Sequence, residues 1–131
     1  MRVVFDSNIF ISAFILPRSN AEKAICRIIE GRDNLIISKA IIDEVLLVLA
    51  GKFSRDIEEI SRTAVYLSEL AEIVTPGKRV KALKDDPDNR VLECAAGGKA
   101  EVIVTGDKEM LGLKQFKSIR IMSLAEYLEM D

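Results

Sequence analysis

At 131 residues and a formal charge of −2, the chain has the size of one domain, 1–131, and no overall charge to draw in a polyanion. Contact with nucleic acid would need a local basic patch or cations held in an acidic pocket. Hydrophobic residues at 49% and charged residues at 31% exclude a disordered chain. No apolar run approaches the roughly 20 residues needed to cross a bilayer, and three apolar residues before Asp6 are too few for a signal-peptide core. A cytoplasmic protein with no membrane partner is expected.

Residues 1–5 read as a buried first strand, and residues 9–16 as a short helical segment stopped by Pro17. Ser19 with Glu22 three residues on forms a capping box for a helix over 20–30, ended by Gly31. Residues 35–37 read as a second strand, and Ser38 caps an apolar helix running to 50–51. Ser54 is expected to open an amphipathic helix reaching about 69, followed by a third strand over 72–74. Asp86 precedes Pro87, which disfavours helical geometry and makes Asp86 the expected N-cap of a helix ended by Gly97 and Gly98. Residues 102–105 and 120–122 are the fourth and fifth strands, and Ser123 with Glu126 caps a terminal helix. Strands alternating with helices predict an α/β three-layer sandwich, with a central, mostly parallel sheet of about five strands between helices.

Four stretches put acids where a strand or loop meets a helix: DSN at 6–8, DE at 43–44, DDPDN at 85–89 and TGD at 105–107. Ligands of open α/β sheets bind beyond the carboxyl ends of the strands. Asp6 and Asp107 follow two such ends, although each also suits a helix N-cap. Glu44 shares a helical face with Ala40, Ile41, Leu47 and Val48, so it must be paired, protonated or ligating. Asp43 faces Lys39 and reads as a surface residue. Asp88 falls in a first helical turn with Asn89 beside it, free to point into a cleft. The plainer reading of Asp85, Asp86 and Asp88 is that they favour the positive end of a helix dipole. Asn8 and Thr105 are polar groups placed to support Asp6 and Asp107.

Acids gathered at one edge repel, and a bound cation is the simplest reason to tolerate them. All-oxygen donors without histidine point to Mg²⁺ or Mn²⁺. The absence of histidine removes a Ser–His–Asp triad, and no glycine-rich phosphate loop is present. Cys26 and Cys94 cannot complete a zinc site and both read as buried free thiols. Lys78, Arg79, Lys81, Lys84, Arg90 and Lys108 either carry nucleic-acid phosphates or form an ordinary solvated surface.

The segments VVFDSNIFISAF, ISKAIIDEVLLVL, DPDNRVLECA and VIVTGDKEML, in this order, make the chain resemble a PIN-domain nuclease over essentially its full length. It most resembles the VapC-like toxins of toxin–antitoxin pairs. The resemblance implies metal-dependent RNA cleavage, a homodimer, and a small antitoxin partner. It carries the family's acidic quartet, as metal ligands and catalytic residues, onto Asp6, Glu44, Asp88 and Asp107, with Asn8, Thr105, Asp86 and Asn89 as accessory residues. The third acid is open between Asp88 and Asp86, because related chains differ in length here. A binding module that has lost catalysis and a DNA nuclease on the same fold are the competing expectations.

Overall fold

The computed structural model describes residues 1–130. β1 (Arg2–Phe5) is followed by α1 (Ser7–Ile15) and α2 (Asn20–Ile29), then β2 (Asn34–Ser38), α3 (Lys39–Gly51), α4 (Ile57–Leu70) and β3 (Glu72–Val74). The second half runs α5 (Asp86–Gly97), β4 (Val102–Val104), α6 (Lys108–Leu113), β5 (Gln115–Phe116), β6 (Ile119–Met122) and α7 (Leu124–Glu129). The strands form one sheet in the order β3-β2-β1-β4-β6-β5, flanked by helices. All neighbours are parallel except β5 and β6.

The apolar content of the strands explains the layering. Val3, Val4, Phe5, Ile36, Ile37, Ile103 and Val104 are fully buried, as strands covered on both faces must be. α5 packs on β1 and β2, and α3 on β2. β1 sits where the strand order reverses direction, with β2 and β3 to one side and β4 and β6 to the other. In register, Phe5 pairs with Val104, so the residues after these two strands emerge side by side at a topological switch point.

The expected α/β sandwich is present with one strand more than the five expected, and three local expectations are corrected. The sheet has six strands, because residues 115–116 form a hairpin with β6 through a tight turn at Lys117 and Ser118. That turn lacks the Asn-Gly or Gly-Gly pair that usually announces a hairpin, and Lys117 itself takes the left-handed conformation at φ 56°. Ser54 does not open α4; it too is left-handed, at φ 52°, and Asp56 caps the helix by accepting from the Glu59 amide at 2.8 Å. Asp86 is the first helical residue of α5 and not its cap. The Asp85 carbonyl accepts from the amides of Asp88 and Asn89 at 3.1 and 3.2 Å, which starts the turn one residue earlier, and proline is tolerated within a first turn. Cys26 is exposed on α2, whereas Cys94 is buried as expected, its thiol pushed up to about 12 by desolvation.

Two buried details fix the ends of the layers. Arg27 is buried in α2, donates to the Tyr127 carbonyl at 2.5 Å and to the Met130 carbonyl, and lies 4.9 Å from the centre of the Tyr127 ring. The Tyr127 hydroxyl in turn donates to Asp33 at 2.6 Å, so α7 is tied to α2. Gly98 has φ −89° and no conformational need to be glycine, but a Cβ there would meet Ile36 Cγ2 at 2.5 Å. Gly98→Ala is therefore expected to lower stability by about 2 kcal/mol through overpacking alone. Chemical denaturation checks this, and a variant as stable as wild type would show that the helix–strand contact yields.

Candidate active site

Asp6 directly follows β1 and is 3% exposed. Its Oδ1 accepts from the amides of Asn8 (2.9 Å) and Ile9 (3.3 Å), capping α1. Its Oδ2 accepts a short hydrogen bond from the Thr105 hydroxyl. Thr105 is fully buried after β4, and its Oγ1 accepts from the Asp107 amide at 3.0 Å. Asp107 Oδ1 accepts from the Met110 amide at 3.0 Å and caps α6. Capping and a place at the sheet edge are thus both true of Asp6 and of Asp107. Asn8 supports Asp6 through its backbone amide; its side chain is exposed.

Asp88 comes to the same edge from the first turn of α5. Its Oδ2 is buried and has no hydrogen-bond partner. Desolvation, followed by the charges of Asp107, Asp85, Asp6 and Glu109, pushes this carboxyl up to about 7. Asp88 and Asp107 line an open cavity of about 650 Å³ together with Asn8, Lys84, Lys108 and Glu109. Glu44 approaches from α3, half-buried, and its carboxyl is raised by desolvation and by Asp85 and Asp6. Asp6 is raised as well; burial dominates, Thr105 and the two amides oppose it, and Asp107 adds to it. These mutual effects place Asp6, Glu44, Asp88 and Asp107 in one electrostatic neighbourhood.

The other expected residues divide. Asp86 is exposed and lines a separate cavity of about 180 Å³ with Glu44, so Asp88 and not Asp86 stands with Asp107. Asn89 is 1% exposed and divides its amide between the preceding loop and one acid: Oδ1 accepts from the Leu83 amide at 2.9 Å, and Nδ2 donates to the Leu83 carbonyl at 2.8 Å and to Asp86 at 3.3 Å. Asp43 pairs with Lys39 at 2.7 Å on the surface, as its spacing implied. Asp85 and Glu109 also belong to the acidic neighbourhood, although neither was among the expected site residues. Only their position beside Asp88 and Asp107 in DDPDN and TGDKE hinted at it.

Among the described residues, no three acids or cysteines converge closely enough to enclose one metal ion. Magnesium does not require that, since it keeps several waters and binds through one or two carboxylates plus phosphate oxygens. The donor set here is all carboxylate, with one buried oxygen unpaired and its proton affinity raised, which suits a hard divalent cation.

Ionised Asp88 is unfavourable in the folded chain without a cation. Because its folded pKa lies above the unfolded value of about 4, stability is expected to fall as pH rises from 4 through 7 and then to level off. In chelator, Asp88→Asn should therefore be more stable than wild type at pH 8, by about 1 kcal/mol once solvent screening is allowed for, and equal to it near pH 4. Melting curves at the two pH values check this; a pH-independent difference would mean that Asp88 is not held against its charge.

Comparison with known proteins places the chain in a family. A model of the PIN domain matches residues 2–109. Uncharacterized protein MJ1680 of Methanocaldococcus jannaschii is 29% identical over 118 residues, covering 87% of this chain and 76% of its own. A chain in the structure of VapBC-1 from nontypeable Haemophilus influenzae superposes with a TM-score of 0.66 at 17% identity, covering 95% of this chain and 99% of that one. A chain of VapBC2 from Rickettsia felis, bound to a DNA fragment from its promoter, gives 0.66 at 14% identity, covering 94% and 98%. At these identities the two structures speak for the fold, and the match to residues 2–109 carries the assignment: the chain belongs to the PIN-domain family.

Proposed function

We propose that the protein is a Mg²⁺- or Mn²⁺-dependent endoribonuclease and the toxin of a toxin–antitoxin pair. The observation that carries the catalytic part is the buried, unpartnered Oδ2 of Asp88, facing the neighbourhood of Asp6, Glu44 and Asp107. An apolar or neutral residue would serve a purely structural role there at lower cost. A bound divalent cation supplies an activated water and charge neutralisation at a phosphate. Asp88 and Asp107, which line the same cavity, would hold it, with Asp6 and Glu44 reaching it through water.

The protein's own contribution is positional. Thr105 fixes the rotamer of Asp6 and ties it to the Asp107 backbone. Asn8 and Ile9 hold the other Asp6 oxygen, so this carboxylate is preorganised. Glu44, half-buried and raised in proton affinity, would take a proton from an attacking water. Lys84 and Lys108 border the same cavity and would bind the phosphates either side of the cleaved bond. Water as the nucleophile leaves a 5′-phosphate and a 3′-hydroxyl, with the ribose 2′-hydroxyl uninvolved.

The two structural neighbours are chains of VapBC structures, and the toxin reading, with a small antitoxin as partner, rests on that likeness together with the resemblance to VapC-like toxins. Leu47 and Ile57 on α3 and α4 are 73% and 84% exposed, with Val65 and Tyr66 nearby in the chain also exposed. Such apolar surface supports a homodimer. Light scattering at micromolar concentration is expected to give twice the chain mass; a monomer would remove the dimer from the account.

Asp6→Asn tests the catalytic reading. The amide keeps an oxygen for the α1 cap and removes the charge, while the Thr105 hydroxyl can turn to accept. RNA cleavage is expected to fall by roughly 100-fold or more, as for loss of a principal electrostatic group, with the metal-free melting temperature unchanged or higher. Full activity in the variant would exclude Asp6 from the reaction, and lost activity with a collapsed melting temperature would make it structural.

A further inference from the structure

The segment between β3 and α5 carries Lys78, Arg79, Lys81 and Lys84, all exposed. Three side chains of α5 hold this segment by its backbone. Asn89 pairs both ways with Leu83, Glu93 accepts from the Val80 amide at 2.8 Å, and Arg90 donates to the Val80 carbonyl at 3.3 Å. Asn89 and Glu93 are 1% and 6% exposed. Burying two polar side chains to grip one loop costs desolvation, and what it secures is the placement of the cations the loop displays.

Lys78 and Arg79 stand at a cavity of about 400 Å³ whose apolar wall is Ile73, Val74 and Pro76. Lys39 and the first turn of α3 close its other side. Positive charge is in excess there: Lys39, Lys78, Arg79 and Arg90 face Glu93, which lies 2.8 Å from Arg90 and 4.0 Å from Arg79. Lys78 has no ion-pair partner among the described residues, and the Lys39 pair with Asp43 is solvent-exposed and weak. This surplus occurs in a chain of net charge −2. Ala40 and Arg90 also line the smaller cavity that touches Glu44 and Ser7, so the basic cavity adjoins the acidic edge across α3 and α5.

We infer that this cavity is a subsite for one unpaired nucleotide of the RNA strand, next to the cleaved bond. Its phosphate rests on Lys78, Arg79 and Lys39 at the positive end of α3. Its base lies against Ile73 and Pro76, with the Arg79 guanidinium able to stack on it. The volume is at the small end of ligand sites and suits one nucleotide whose base is unpaired and free to enter it. The inference rests on the RNA-cleaving reading of the acidic edge and extends it to substrate selection.

The test uses the full chain, a fluorescein-labelled single-stranded RNA, and EDTA to prevent cleavage, with binding read by anisotropy across a salt series. Lys78→Ala/Arg79→Ala is expected to lower affinity by about 10-fold at low salt and to flatten the log–log salt slope by up to about 0.7, the contribution of one phosphate contact on a single strand. Lys78→Arg/Arg79→Lys should retain most binding, and Lys23→Ala/Lys52→Ala, distant from the cavity, should match wild type. Wild-type affinity and slope in the double alanine variant would overturn the subsite. So would preference of the wild type for polyglutamate over RNA, which would make the surface a dock for an acidic protein. Cleavage of RNA with unchanged KM and kcat in the double alanine variant would keep the nuclease and remove the subsite. Subsite-dependent binding without any cleavage would do the reverse.

Discussion

Thr105 donates its hydroxyl to Asp6 and accepts the amide of Asp107, and this chain of hydrogen bonds lets two carboxylates sit together above adjacent parallel strands. Without it, Asp6 would be a buried charge with only two amides to offset its desolvation. With it, the carboxylate is locked in one rotamer at the point where the strand order reverses. The side chains of Asp88 and Glu44 are then brought against a fixed negative charge. Their raised proton affinity follows from burial first and from that charge second.

α5 is the element through which the acidic and basic halves of this edge communicate. Its first turn presents Asp88 to the cavity, while Asn89, Arg90 and Glu93 turn to the preceding loop. Adjacent residues of one helix thus serve opposite charges, because positions one apart point in different directions while positions four apart, such as Asn89 and Glu93, share a face. The result is a steep change of potential over a short stretch of surface. A flexible polyanion can meet that arrangement with its phosphates on the basic side and one phosphate at the acids.

The sequence made the parallel strands legible because residues buried on both faces read as unbroken apolar runs, as at Val3–Phe5 and Val102–Val104. Asp6 and Asp107 could be found because each ends such a run. The capping residues Ser19, Ser38 and Ser123 were legible from local chemistry alone. β5 was not, since two residues carry no periodicity and their turn uses Lys117 in place of glycine. Asn89 was read as an accessory to the acids because it adjoins Asp88 in sequence; its amide does reach Asp86, but its grip on both backbone groups of Leu83 had no local signal. The influence of Asp85 on Asp88 is local, three residues apart at the start of α5, but that of Glu109 depends on how α5 and α6 meet across the cavity, which no local pattern encodes.

The central claim is that this acidic edge hydrolyses RNA with water and a divalent cation. Mapping the ends of RNA fragments, produced with Mn²⁺ and with EDTA, tests it most directly. The account predicts 5′-phosphate and 3′-hydroxyl ends formed only with the cation. Fragments bearing 2′,3′-cyclic phosphate, or equal cleavage in EDTA, would contradict it.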